Sequence, residues 1–233
     1  RNKSEDFLGQ KTPFHELQKE KIGTPVGGGI LIILSTFLFS SIFYLITDFK
    51  FNWTTGIFYI TLILFGLLGF YDDLLKFFRF RKVGFFGLRI RYKFAIQLLF
   101  GFFVGWLLYS KQGLHHVWLP LFGLFDIGLW YLPYSALVII GTSNAFNITD
   151  GLDGLAGGLL MIALAAFGYL ATFSPFSGDV ILIIAVLWGS LLTFLYFNIH
   201  PARFFLGDTG ALALGALLGV TALMVQRSIV LPV

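Results

Sequence analysis

Five aspartates stand where strongly apolar runs end, and their types and spacing could do chemistry. They occur in Gly69-Phe70-Tyr71-Asp72-Asp73, in Asn147-Ile148-Thr149-Asp150-Gly151-Leu152-Asp153 and in Phe205-Leu206-Gly207-Asp208. Ionisable groups near membrane depth are expensive to hold and usually functional. The adjacent carboxylates of Asp72 and Asp73 repel one another unless a metal or a Lys/Arg neutralises them. The chain has no cysteine and only four histidines, so the donor set is oxygen. That chemistry points to Mg²⁺ or Mn²⁺ rather than zinc, and Mg²⁺ at a membrane surface points to phosphate chemistry.

Other polar residues continue the pattern. Lys76 follows Asp73 by three residues, which predicts that it shares a helical face with that carboxylate. Asn144, Asn147, Asp150 and Asp153 recur at i, i+3 and form a polar stripe in an apolar region, offering metal ligands and amide donors for a sugar or nucleotide. Asp208, ahead of Thr209-Gly210, has a second reading as the N-cap of the last apolar run. Walker-type phosphate loops, Gly-x-Ser-x-Gly elbows and His-Glu-x-x-His motifs are absent from the sequence. P-loop ATPases, serine hydrolases and zincins are thereby excluded.

The elements that must position these residues follow from composition. Of 233 residues, 57% are apolar and only 12% are charged, about half the charge of an average soluble domain. Neither a soluble globular domain nor a disordered chain fits. Apolar stretches run at about 25–47, 53–71, 94–110, 129–148, 154–174, 179–198 and 210–229. Most approach the ~20 residues that a helix needs to cross the hydrocarbon layer. Continuous runs such as Leu31-Ile32-Ile33-Leu34 lack barrel alternation. The expectation is one all-α, polytopic membrane bundle of about seven helices over residues 1–233.

Connecting segments 1–24, 72–93, 149–153 and 199–209 fall on one side and hold thirteen of the sixteen Lys/Arg. Positive charge concentrates in cytoplasmic loops, so this side reads as cytoplasmic, and it is the side with the aspartates. No soluble domain displays these bases to nucleic acid, so that partner is excluded. Gly101-x₃-Gly105, Gly154-x₃-Gly158 and Gly215-x₃-Gly219 read as intramolecular helix packing, with a homodimer contact as the alternative. Trp53, Trp106, Trp118 and Trp130 read as an interfacial belt. The start at Arg1 and the stop at Val233 inside an apolar stretch read as a fragment of a longer protein.

Five motifs occur together and in order. They are Gly23-Thr24-Pro25-Val26-Gly27-Gly28-Gly29, then Asp72-Asp73 with Lys76, then Gly87-Leu88-Arg89-Ile90-Arg91-Tyr92-Lys93. The fourth is Asn144-Ala145-Phe146-Asn147 through Asp150-Gly151-Leu152-Asp153, and the fifth is Pro201-Ala202-Arg203-Phe204-Phe205-Leu206-Gly207-Asp208. In this the chain resembles the phospho-N-acetylmuramoyl-pentapeptide transferases, a branch of the polyprenyl-phosphate sugar-1-phosphate transferases. The resemblance implies an enzyme of the bacterial inner membrane, multi-pass, with its site facing the cytoplasm. It would transfer phospho-N-acetylmuramoyl-pentapeptide from the UDP-linked donor to undecaprenyl phosphate, releasing UMP and forming lipid I for peptidoglycan.

By the same resemblance, Asp72, Asp73 and Asp208 are the catalytic set, with Asp208 and Asp73 on Mg²⁺. Lys21, Thr24, Lys76, Lys93, Asn144, Asn147, Asp150, Asp153 and Phe205 bind substrate, Phe205 by stacking near the uracil. Three departures stand out: Val26-Gly27 replaces the family's Thr-Met, the family's first span lies upstream of Arg1, and its His-rich motif is expected beyond Val233. His115-His116 fall on the opposite side of the membrane and cannot stand in for that motif. Competing readings are a related N-acetylhexosamine-1-phosphate transferase, a UbiA-type intramembrane prenyltransferase and, as a non-enzyme, a cation-coupled transporter. A transporter places its ionisable residues near the bilayer midplane, whereas these cluster at one end.

Overall fold

Each of the seven apolar stretches forms one helix in the computed structural model, which describes residues 24–79, 88 and 90–231. In chain order these are α1 (Gly28–Ile46), α2 (Trp53–Arg79), α3 (Ile90–Gln112), α4 (Tyr131–Thr149), α5 (Leu155–Ala171), α6 (Ser177–Asn198) and α7 (Gly207–Met224). Five of them, all but α4 and α5, are long and apolar enough to cross a membrane. α5 is short at 17 residues. α4 carries Ser135, Thr142, Ser143 and Asn144, and these polar groups serve helix packing: Ser143 Oγ donates to Leu212 O at 2.9 Å. The chain is an all-α, polytopic membrane protein.

The organising element is α7. It contacts α1, α2, α4 and α5 and is buried along nearly its whole length. Its sequence, Gly-Asp-Thr-Gly-Ala-Leu-Ala-Leu-Gly-Ala, is mostly small residues, which is what close helix approach in lipid requires. Gly215 and Gly219 lie against α4, where an added Cβ would meet Ser143 Cα at 2.8 Å and Ile139 Cα at 3.1 Å. Gly101 likewise packs on Ala136 of α4. These glycine pairs are intramolecular seams, as the sequence reading has it. Gly154-x₃-Gly158 is not a seam, since Gly154 is a left-handed residue before α5 and nothing lies within 4 Å of a Cβ at Gly158. One apolar cluster draws buried residues from all seven helices, including Ile32, Phe65, Leu108, Ile139, Leu160, Leu187 and Leu217.

Gly69 of α2 is where α2 meets the start of α7. A Cβ there would stand 2.6 Å from Thr209 Cα and closer still to the Asp208 carbonyl. Both obstacles are backbone and cannot rotate away. Gly69→Ala is therefore expected to destabilise the protein by about 1–3 kcal/mol through overpacking, read as a lowered melting temperature in detergent.

The end of the bundle away from the aspartates has its own polar network. Asp179, in the first turn of α6, is buried and accepts from Asn52 Nδ2 at 2.7 Å and from the hydroxyls of Tyr44 and Thr55 at 3.2 Å each. Lys111 lies over the Trp53 ring at 4.7 Å, and Arg227 over Trp118 at 4.3 Å. Each pair sets a basic group over an aromatic ring.

Three helix ends that bear on the site and one connection differ from the sequence reading. α3 begins at Ile90 and α7 at Gly207, which puts Lys93 and Asp208 in helices. α2 does not end near residue 71 but runs to Arg79, so Asp72, Asp73 and Lys76 are helical rather than in a loop. The extra turns persist because Asp72 is buried against partners from other elements. The segment between α3 and α4 also pairs as a short antiparallel hairpin, β1 (His116–Leu119) with β2 (Gly123–Asp126). Its apolar and polar residues do not alternate cleanly, which hid it.

Candidate active site

The carboxylates gather where the C-terminal turns of α2 meet the N-termini of α3 and α7. Lys93 Nζ, in the first turn of α3, lies 3.0 Å from Asp72 Oδ2 and 2.7 Å from Asp208 Oδ2. Lys76 Nζ lies 2.8 Å from Asp208 Oδ2 and 3.4 Å from Asp72 Oδ2. Two carboxylate oxygens thus converge on the same two ammonium groups. Asp72 is the buried member and Lys76 the half-exposed one, with side-chain exposures of 5% and 45%. Asp72 Oδ1 also accepts the Leu88 N–H at 2.6 Å.

Lys76 thus partners Asp72, one turn before it, and not Asp73 as the i, i+3 spacing predicts. The i, i+4 relation wins because α2 turns Asp73 toward α7. There Asp73 Oδ1 accepts the Asp208 N–H at 3.2 Å, and Oδ2 accepts the Thr209 N–H at 3.0 Å and its hydroxyl at 2.8 Å. These are the exposed donors of the first turn of α7, so a side chain from another helix caps it. The alternative reading of Asp208 as that cap is corrected: no side chain of α7's own N-terminus makes a capping bond.

Gly207 makes the capping geometry accessible. Its φ is +79°, a conformation that favours glycine, and a Cβ there would lie 3.0 Å from Asp73 Oδ2. The chain before α1 docks on the same turn. Gly27 and Gly28 N–H donate to Phe205 O at 3.1 and 2.9 Å, Gly29 N–H to Leu206 O at 2.9 Å, and Phe205 N–H to Pro25 O at 3.0 Å. Gly27 stands at φ +138°, a conformation that favours glycine. Thr24 is half-buried at the start of this segment. Lys21 lies outside the described residues.

The polar stripe splits into separate jobs. α4 ends at Thr149, so only Asn144 and Asn147 are helical. Asn144 Nδ2 donates to Gln97 Oε1 at 2.9 Å and Asn144 Oδ1 accepts from Gln97 Nε2 at 3.3 Å, locking α4 to α3. Asn147 is half-buried one turn further on. Asp150 follows as the C-cap residue of α4. Asp153 Oδ2 accepts the Ala202 N–H at 3.1 Å and lies 3.2 Å from His200 Nδ1. Asn198, to which the sequence reading gives no role, is buried and ties this corner together. It accepts the Gly154 N–H at 3.0 Å and donates to Phe204 O at 2.8 Å. Segments 149–153 and 199–209 therefore meet at the same end of the bundle as Asp73 and Asp208. A polar residue at the end of an apolar helix was the available signal for Asn198.

An apolar groove opens beside the charges. Ile30, Phe70 and Thr209 line both a mouth shared with Asp73, Lys76 and Phe77 and an inner stretch shared with Phe37, Leu62 and Gly66. Leu34 and Leu67 on this surface are about three-fifths exposed, so the groove lies open to whatever surrounds the bundle. The arrangement offers a phosphate two cations at one end and offers a long hydrocarbon an apolar track at the other.

The chain matches glycosyl transferase family 4 over residues 53–226. It is similar to a phospho-N-acetylmuramoyl-pentapeptide-transferase of Desulforapulum autotrophicum, 37% identical over 233 residues that cover 93% of this chain and 63% of the relative. The protein of that name from Caldanaerobacter subterraneus is 39% identical over 221 residues, covering 92% of this chain and 65% of the relative. That of Borreliella burgdorferi is 35% identical over 249 residues, covering 97% and 68%. The chain spans about three-fifths of the length of the first of these relatives.

Proposed function

Because the chain belongs to glycosyl transferase family 4, we propose that it moves a phospho-sugar from a nucleotide donor to a polyprenyl phosphate in a bacterial inner membrane. The donor is UDP-N-acetylmuramoyl-pentapeptide and the acceptor is undecaprenyl phosphate. An oxygen of the acceptor phosphate bonds to the phosphorus that carries the sugar. The bond from that phosphorus to the UMP oxygen breaks, so UMP leaves and lipid I remains. The site faces the cytoplasm, in keeping with the thirteen Lys/Arg on its side.

The observation that carries this reading is the sharing of Lys76 and Lys93 by Asp72 and Asp208 at the mouth of an apolar groove. Phosphoryl transfer asks little covalent chemistry of a protein and depends on positioning and charge stabilisation. Lys76, the more exposed cation, meets the acceptor phosphate as its prenyl chain lies along Ile30, Phe70 and Leu67. Lys93 holds Asp72 and Asp208 together from the buried side. Asp73 fixes the first turn of α7 and so the position of Asp208. Asn147, Asp150 and Asp153, with Thr24 and Phe205 nearby in the fold, receive the nucleotide sugar.

The donor set fits Mg²⁺: carboxylate oxygens from Asp72 and Asp208 already converge on cationic groups, and no sulfur ligand is present. Asp208 would hold it with Asp72 alongside, in place of the Asp73 expected from the sequence, whose two oxygens accept from the first turn of α7. Bound there, Mg²⁺ would neutralise the diphosphate and orient it. The competing transporter reading has no support here, because the ionisable cluster sits at the helix ends. The test is UMP release from UDP-N-acetylmuramoyl-pentapeptide by the purified protein. Release is expected only with both undecaprenyl phosphate and Mg²⁺, and EDTA should abolish it. Turnover undiminished by EDTA would sink the metal assignment, and UMP release indifferent to the lipid would sink the acceptor.

A further inference from the structure

The hairpin between α3 and α4 lies at the end of the bundle opposite the lysine–carboxylate cluster, and its two histidines take no part in the transfer chemistry. β1 begins at His116, which is in register with Asp126 of β2. His115, one residue earlier, reaches the same carboxylate: its Nδ1 lies 2.9 Å from Asp126 Oδ1. Neighbouring residues of a regular strand point to opposite faces. Here the strand starts between the two, and the imidazole centroids are only 3.9 Å apart. One ligand atom from each of His115, His116 and Asp126 lies within 4.8 Å of the others.

The backbone holds this geometry. Ile127 N–H donates to His115 O at 3.0 Å, and Gly128 N–H donates to Asp126 Oδ1 at 2.8 Å. Both histidines are half-buried and Asp126 is exposed, so an ion can enter from solvent. We propose that His115, His116 and Asp126 bind a divalent transition metal of the zinc class, with water completing its coordination. Two imidazoles and one carboxylate are donors suited to Zn²⁺, Ni²⁺ or Cu²⁺ and poorly suited to Mg²⁺. Three protein ligands with an open position are a familiar zinc arrangement. Ligand bonds of about 2.0–2.2 Å require the three groups to close by small side-chain rotations from their present separation. The metal clips β1 to β2 and to the turn at Gly128–Trp130 that leads into α4, and it stabilises the folded state by mass action.

The plain alternative is an ion pair between His115 and Asp126 alone, for which His116 is irrelevant. The experiment is Zn²⁺ titration by calorimetry of the whole protein in chelator-treated detergent, beside His115→Ala and His116→Ala. One Zn²⁺ per chain is expected at micromolar Kd, weakened at least about tenfold in each variant. As a check that needs no variant, Cu²⁺ bound to the parent should show electron-spin coupling to two imidazole nitrogens. A parent that binds no Zn²⁺ below about 1 mM overturns the proposal. So does a His116→Ala protein that binds as tightly as its parent, or a Cu²⁺ spectrum without imidazole coupling.

Discussion

Asp208→Asn is expected to lower the transfer rate by about 10²–10³-fold while leaving the melting temperature within about 4 °C of the parent. A pure N-cap would behave otherwise, since capping is worth only ~1 kcal/mol and Asn caps as well as Asp. The structure removes the capping role: Asp73, not Asp208, accepts the exposed N–H groups of α7. Nor does the substitution strand a charge, because Lys76 and Lys93 both keep Asp72 as a partner. Lys76 is half-exposed, so its pairing is screened by solvent and contributes little stability. On the proposed reaction, what Asn cannot replace is the negative charge beside the donor's diphosphate, and each ~1.4 kcal/mol of transition-state stabilisation lost is tenfold in rate. The measurements are UMP release and a thermal melt of each protein. Turnover within threefold of the parent would end the role assigned to Asp208.

Asp73→Asn is expected to cost both stability and rate, although it sits beside Asp72 in sequence. Both oxygens of Asp73 are acceptors, one for Asp208 N–H and the other for the N–H and hydroxyl of Thr209. Whichever way an Asn amide is turned, its NH₂ faces a donor. Unfolding stability should fall by about 1–3 kcal/mol from the unsatisfied donors, with a smaller share from losing a charge at a helix N-terminus. The first turn of α7 then shifts, and Asp208 rides on it. A displacement of about 1 Å at a reacting centre can cost about 10²-fold in rate. Affinity for the UDP-sugar should stay within about threefold, because the 144–153 segment is held by Gln97 and by the 198–202 corner instead. Isotherms for the UDP-sugar, transfer rates and melts of the same variant check all three parts. A variant that melts and transfers like its parent refutes the positioning role.

Much of the architecture was legible in the amino-acid order, because crossing a membrane is a matter of local composition. Residues 25–47 and 179–198 read as spans, and α1 and α6 occupy Gly28–Ile46 and Ser177–Asn198. The placing of Asp72, Asp73, Asp150, Asp153 and Asp208 at one end followed from counting spans, and the structure brings them to one end. Two polar groups in α4 join it to its neighbours: Asn144, read from the sequence as a substrate ligand, bonds Gln97 of α3, and Ser143 bonds α7. Composition marks such residues as unusual but cannot name the partner.

Residue order alone set the seven helices, their membrane setting and the end of the bundle where the aspartates stand. Which partner each carboxylate takes came from packing. Spacing pairs Lys76 with Asp73, whereas packing pairs it with Asp72 and Asp208 and turns Asp73 onto the start of α7. The reason is rotational phase. How a helix is turned about its axis depends on how closely it meets its neighbours, here on Gly69 lying against the Asp208–Thr209 backbone and on Gly207 at positive φ. That contact joins residues about 140 positions apart, and no local pattern of residue types records it.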